Sequence, residues 1–445
     1  MPQSTVKPYH WANSALFYYF LAVLAWAPLP LASNRDWSTI LLAGLLLTGL
    51  LWAAALMVLQ HLQLTPAARR AWPALAALVA VQVWVAMQLV LDISVAPAST
   101  RLALLLGAAL VAAFFLVLVL VDSRERILTI GRVMVACGVF QAFFASVMMM
   151  SDVEQIALLD KTFRRSTASG TFINRNHLAG FLEMNLALGI GMLVAQLHRH
   201  PAGSWREFMH RSIDTLLSSK FRLRLYLAIM VIALVLTRSR MGNSAFFSSL
   251  LLCGLAGMIL QQRVTRNAVI FFVSLLLIDM YIVGNWFGMD EVVQRLQNTS
   301  LEVEKRDEVA IDSIIMWRDY FWFGTGADSF YQSYVDGGYM GRDSLYYRHA
   351  HNDYLEFGSG FGFVGFALLA TAVLTSLWQA LIAQRQRRSS LHQGLGFAST
   401  MGIISILIHS FADFNLHIPV NSLWFVILLA FAWVAGSENR AQNRV

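Results

Sequence analysis

His349, His351 and Asp353 fall at alternate positions in His349-Ala350-His351-Asn352-Asp353, directly before a long apolar run. Imidazole is the side chain whose unperturbed pKa suits proton abstraction near neutral pH, so His351 is a candidate general base. A similar spacing, H-x-H-x-D-H, opens the binuclear zinc hydrolases, but here position 354 is Tyr and the chain continues as an apolar helix, which disfavours a metal. A third reading has the two histidines merely capping that helix. Arginines supply the second chemistry. Thr237-Arg238-Ser239-Arg240-Met241-Gly242 joins two apolar runs through very few residues, leaving Arg238 and Arg240 near membrane depth, where an arginine costs roughly 2.5–3.5 kcal/mol. Arg175, in Phe172-Ile173-Asn174-Arg175-Asn176-His177, and Arg306, in Lys305-Arg306-Asp307, are expected on the same side. Forked guanidinium donors match phosphate oxygens, so three of them converging would suit a diphosphate. The bland alternative for each is an interfacial arginine reaching to lipid headgroups.

Apolar segments must position these residues. They run at 14–33, 39–60, 71–91, 102–121, 127–150, 177–197, 223–237, 244–260, 267–288, 357–383, 396–413 and 420–436. Most reach the roughly 20 residues that a helix needs to cross about 30 Å of hydrocarbon. With 57% hydrophobic residues, 13% charged and a mean hydropathy of +0.58, the chain reads as an all-α polytopic membrane protein of about 12 transmembrane helices. The runs are unbroken rather than alternating, which excludes a barrel. The first lacks a small-x-small cleavage pattern and is expected to stay as an anchor. Cys137 and Cys253 fall inside expected spans as small apolar side chains, leaving no disulfide framework and no thiolate metal site. Basic residues gather in alternate gaps, at Arg69-Arg70, Arg124 and Arg126, 199–224, Arg263 and Arg266, Arg385 to Arg388, and the tail, which puts both termini in the cytoplasm. The net charge of +7 and the pI near 9.6 are thus mostly topological, and nucleic acid is not an expected partner.

We read the chain as a single transmembrane domain, 1–445, with a large, partly helical periplasmic loop at 289–356 between spans 9 and 10. The loop carries half of the chain's acidic residues and many aromatics, among them Trp317, Tyr320, Phe321, Trp322 and Phe323, unlike a linker. Ala310, Ile314, Trp317 and Phe321 recur at helical spacing and predict an amphipathic helix lying on the bundle or at the membrane interface, ended by Gly324-Thr325-Gly326. Gly360-Phe361-Gly362-Phe363-Val364-Gly365 matches G-x-G-x-x-G literally, yet no strand precedes it and a transmembrane helix follows, so the small residues are assigned to close helix packing. Glu183, Asp279, His409 and Asp413 lie within or at the ends of spans and are functional candidates by default, although Asp279 could equally be a buried structural contact.

The motifs Phe172 to Gly180 (FINRNHLAG), Thr237 to Gly242 (TRSRMG), Arg306 onward to Gly324–Phe330, His351 to Glu356 (HNDYLE) and His409 to Asn415 (HSFADFN) resemble those of the O-antigen ligase and polymerase superfamily of bacterial envelope glycan assembly. The resemblance implies a twelve-span inner-membrane enzyme with a periplasmic active site. It would move a glycan from undecaprenyl diphosphate to an acceptor sugar, either a lipid-linked oligosaccharide or a lipid A core, with no metal and no cofactor. By this likeness Arg240 is the essential arginine after span seven, Arg306 the loop arginine, His351 the catalytic histidine and Asp413 the late acidic residue. Arg238, Arg318 and His349 are less direct matches, with Arg318 competing with Arg306. Asn352 joins the supporting set. Attack opposite the diphosphate would invert the anomeric centre. Ligase and polymerase differ only in the acceptor, and the sequence does not separate them. The alternatives are a transporter using Asp279, Glu183 and the arginines as a path for an anionic solute, and a membrane scaffold. The aromatic loop, suited to stacking on sugar rings, favours glycan transfer.

Overall fold

The computed structural model describes residues 10–151, 155–156, 161–162, 166–196, 219–260, 306–340 and 347–437. Its helices are α1 His10–Trp26, α2 Asp36–Val58, α3 Pro66–Arg70, α4 Trp72–Val90, α5 Pro97–Leu120, α6 Arg124–Met150, α7 Arg175–Val194, α8 Ser219–Leu236, α9 Arg240–Leu260, α10 Arg306–Asp319, α11 Phe330–Asp336, α12 Asp353–Gln386, α13 Ser390–His409 and α14 Pro419–Ala435. A two-residue antiparallel ladder, Gln155–Ile156 with Lys161–Thr162, is the strand content of the described residues. The protein is an all-α, polytopic membrane bundle: among the described residues eight helices are long and apolar enough to cross a membrane, and α1 and α14 are apolar but shorter. Every expected span coincides with a helix except the ninth, 267–288, which lies outside the described residues together with Asp279.

α7, α13 and α14 form the enclosed centre, and their sequences explain why. A Cβ on Gly191 would meet the Gly394 carbonyl oxygen at 2.4 Å, and one on Gly394 would meet that of Gly191 at the same distance, so α7 and α13 touch backbone to backbone. Two polar contacts tie these helices together. Trp424 Nε1 donates to Asn185 Oδ1 at 3.1 Å, and Asn421 Nδ2 donates to the His177 carbonyl at 3.0 Å.

α12 is the unusual element. Gln384 bonds Thr400 and the Asp353 N–H bonds the Ser410 carbonyl, so the same two levels are joined by ten residues of α13 and 31 residues of α12. At 1.5 Å per residue those lengths are about 15 and 46 Å, which two straight helices cannot reconcile. The break is at Gly362, whose φ of 66° and ψ of 179° turn the first section, 353–361, back toward the end of α13. The loop chain enters this break. Phe363 N donates to the Phe321 carbonyl, Thr325 N to the Ser359 carbonyl and Gly326 N to the Gly360 carbonyl, while Gln88 of α4 donates to the Phe323 and Gly360 carbonyls. A Cβ on Gly362 would lie 2.5 Å from backbone atoms of Trp322, Phe323 and Gly324. The G-x-G-x-x-G string is therefore a crossing of the loop backbone through a helix break, where close packing between helices was expected.

The loop helix α10 departs from expectation. Its buried line is Val309, Ser313 and Met316, packed with Phe330, Tyr334 and Ala350 in a small core of its own. Of the stripe expected on the bundle or at the membrane interface, Ile314 and Phe321 are exposed, and Ala310 and Trp317 are half-buried. Spacing of apolar residues identified the helix, and α10 carries a second, largely apolar line, Val309, Ser313 and Met316, that meets protein. The helix also ends at Asp319, before the Gly324 turn, with Gly324 N closing onto the Tyr320 carbonyl.

Candidate active site

Three helix starts bring motif residues to one end of the bundle, and each start is fixed by local chemistry. Asn174 caps α7 by accepting from Asn176 N, leaving Arg175 half-buried and His177 buried in the first turn. Ser239 Oγ accepts from Gly242 N at the start of α9, and Thr237 Oγ1 accepts from Ser239 N, a compact turn that presents Arg238 and Arg240 outward as exposed residues. Asn352 caps α12 by accepting from both Tyr354 N and Leu355 N. The cap is therefore Asn352, and neither His349 nor His351 serves that purpose. Its amide also donates to the Phe411 carbonyl, which ties the start of α12 to the end of α13.

Phe414 is the centre of the assembly. The His349 ring stacks on it at 4.0 Å between centroids, while the His177 and His351 rings meet it edge-on at 4.6 and 5.1 Å. Beside it, Asp413 Oδ1 lies 3.6 Å from His177 Nε2 and 4.0 Å from His351 Nδ1. Burial alone would push the Asp413 carboxyl up, but the nearby His177, then the charge of His409 and the Phe414 N–H, hold it well below the usual carboxylate range. A persistent anion there favours an imidazole able to accept and hold a proton. His351 also adopts φ +50°, as Arg238 does at +53° and Asp328 at +56°. Left-handed backbone at non-glycine residues costs of order 1–3 kcal/mol and collects at functional sites.

A chain of alternating imidazoles and carboxylates supports His349. Its Nδ1 is 2.6 Å from Glu356 Oε1, and Glu356 Oε2 accepts from Ala350 N at 2.9 Å. His417 bridges the two acids of the first α12 turn, with Nε2 3.4 Å from Glu356 Oε1 and Nδ1 2.9 Å from Asp353 Oδ1. Asp353 Oδ2 in turn accepts from Ser410 Oγ and Leu416 N. Burial would lower the His417 pKa, but Glu356, Asp353 and Asp328 outweigh it and lift it to about 9. His417 is thus a cation at neutral pH.

Below this group, roughly two turns along α7 from His177, His409 Nδ1 is 2.7 Å from Glu183 Oε1 and Ser405 Oγ donates to Glu183 Oε2 at 2.6 Å, all fully buried. Glu183 also sits under the arginine turn, because a Cβ on Gly242 would come within 3.1 Å of its Oε1 and 2.6 Å of Ala179 Cβ. The first turns of α7 and α9 therefore lie side by side, which places Arg175 and Arg240 at the same end as His177, His351 and Asp413. The Arg318 side chain is 74% exposed and pairs with the adjacent Asp319 at 3.2 Å. Arg306 begins α10, and its side chain lies outside the described residues.

Sequence reasoning named His351, His349, Asn352 and Asp413 as one group, and the structure brings them together. It assigned no role to Phe414, Glu356 or His417. The available signal was the proximity of Phe414 and His417 to Asp413, and the i, i+3 spacing of Asp353 and Glu356 on one helix face.

Residues 225–370 match the model of the O-antigen ligase family. The matched segment runs from within α8 through the break in α12 and includes the arginine turn, Arg306 and both loop histidines. The His177 and Asp413 motifs lie outside it, yet the fold delivers them to the same place. No curated protein matches the chain. The family match and the apolar helices together support a membrane enzyme that ligates or polymerises glycans.

Proposed function

We propose that the protein transfers a glycan from undecaprenyl diphosphate to an acceptor sugar hydroxyl, in O-antigen or surface-polysaccharide assembly, at a periplasm-facing site of the inner membrane. The observation that carries this reading is the meeting of His177, His351 and Asp413 around Phe414, at the bundle end that also holds Arg175 and Arg240.

The chemistry follows from the two reacting groups. A diphosphate leaves readily once its growing charge is neutralised, which is the role of Arg240 and Arg175, joined by Arg306 at the start of α10. An acceptor hydroxyl is a poor nucleophile until it loses its proton. His351 takes that proton as the hydroxyl oxygen bonds to the anomeric carbon, the carbon–oxygen bond to the diphosphate breaks, and its electron pair leaves with the diphosphate. The Asp413 anion stabilises the imidazolium so formed. Attack from the side opposite the leaving group inverts the anomeric centre.

Purified protein in lipid nanodiscs, given a lipid-diphosphate oligosaccharide with or without lipid A core, tests the proposal. Joining to core identifies a ligase, and products of rising length without core identify a polymerase. His351→Ala should lower turnover by about 10²- to 10⁴-fold without unfolding the protein. Absence of product with either acceptor, or full activity of H351A, refutes it.

A further inference from the structure

We infer that α10 and the aromatic turn after it form a lipid-binding surface, seated in the headgroup layer of the bilayer at the end where the histidines meet. This inference does not depend on the reaction.

Taking about 100° per residue, α10 has four faces. Val309, Ser313 and Met316 share a sector of about 60° and are buried against protein. Ile314, Ile311 and Ile315 span about 100° on the outward side and are 54%, 58% and 37% exposed. Glu308, Asp312 and Asp319 fall within about 40° of one another on a third flank. Asp312 and Asp319 there accept the hydroxyls of Tyr334 and Tyr339. Roughly opposite these acids lie Ala310 and Trp317. The Trp317 ring reaches Phe366, four residues past the Gly362 break and inside the spanning section of α12. A helix lying flat on a bilayer beside a bundle needs this order of faces: acids to water, an aromatic toward the hydrocarbon, one side on protein and one on lipid.

The depth agrees. Phe321, Trp322 and Phe323 continue the exposed apolar strip, with Trp322 59% exposed. Phe321 stacks on Phe363 at 5.4 Å, Trp322 meets the same ring edge-on, and Phe323 packs on Trp84. Gln88 and Trp84, which bond this crossing, lie two and six residues before the end of α4, or about 3 and 9 Å below its end. That is the level at which tryptophan and tyrosine gather in membrane proteins. Arg318, set among the isoleucines on the exposed flank, can reach phosphate headgroups while its stem stays with the apolar side chains. The strip is continuous with the outer surface of a spanning helix, and this continuity favours lipid over a second copy or a protein partner.

The test uses full-length protein with Cys137 and Cys253 replaced by Ala, carrying a fluorescent label at Ile314→Cys, at Ile311→Cys or, as the water-side reference, at Glu308→Cys. Each is reconstituted at low density in phosphatidylethanolamine and phosphatidylglycerol vesicles. Labels at 311 and 314 should be quenched strongly by lipids spin-labelled near the headgroup and weakly by aqueous iodide, with the order reversed at 308. Iodide quenching at 311 and 314 equal to that at 308 overturns the inference. So does protection of those sites from both quenchers, which would mean that protein covers the strip.

Discussion

His417 gives the sharpest quantitative expectation. Its pKa stands at about 9 in the folded protein against 6.5 for a free imidazole, because Glu356, Asp353 and Asp328 surround it. A raised folded pKa means that the charged state stabilises the fold fully below pH 6.5, and that this stabilisation is lost as pH rises through 9. The difference of about 2.5 pKa units corresponds to about 3 kcal/mol at roughly 1.4 kcal/mol per unit, and the side chain is only 10% exposed, so solvent screening removes little of it. Unfolding in detergent, followed by heat or denaturant from pH 6 to 10, should show wild type losing about 3 kcal/mol across that window. His417→Gln keeps a hydrogen-bond donor without the charge. It should be less stable than wild type at pH 6.5 and nearly flat between 6.5 and 9. Identical pH slopes in the two proteins would refute the argument that His417 holds the acids of the first α12 turn together. Because Glu356 also holds His349 against Phe414, H417Q should lower turnover at pH 7 as well.

Two further substitutions probe the scaffold. Gly362→Ala puts a Cβ within 2.5 Å of the loop backbone at a φ of 66°, so it should displace the Phe321–Ala327 crossing and abolish transfer, which protease sensitivity of the loop would report. Glu183→Ala leaves His409 buried without its partner and should cost about 3–5 kcal/mol in unfolding experiments, the range for breaking a buried pair.

Much of the architecture follows from the sequence alone, because a lipid solvent leaves so few solutions. Unbroken apolar runs of about 20 residues must be helices, and the charged gaps between them must be loops. The same logic located the motif residues: an arginine or histidine that cannot rest in hydrocarbon lies at a helix end, which is where Arg175, Arg240, His351 and Asp413 are found. Periodicity found α10 but left open what its two apolar flanks meet, since the order of residues does not say which flank meets protein and which meets something else. Gly362 was visible only as a small residue, because a helix break is decided by the chain that crosses it. The chemistry of the site also belongs to the tertiary structure. Phe414 gathers histidines from positions 177, 349 and 351, and Asp413 keeps its negative charge despite burial because His177 and His409 close around it. Local spacing can place a titratable group at a membrane surface, but its charge depends on neighbours more than two hundred residues away in the chain.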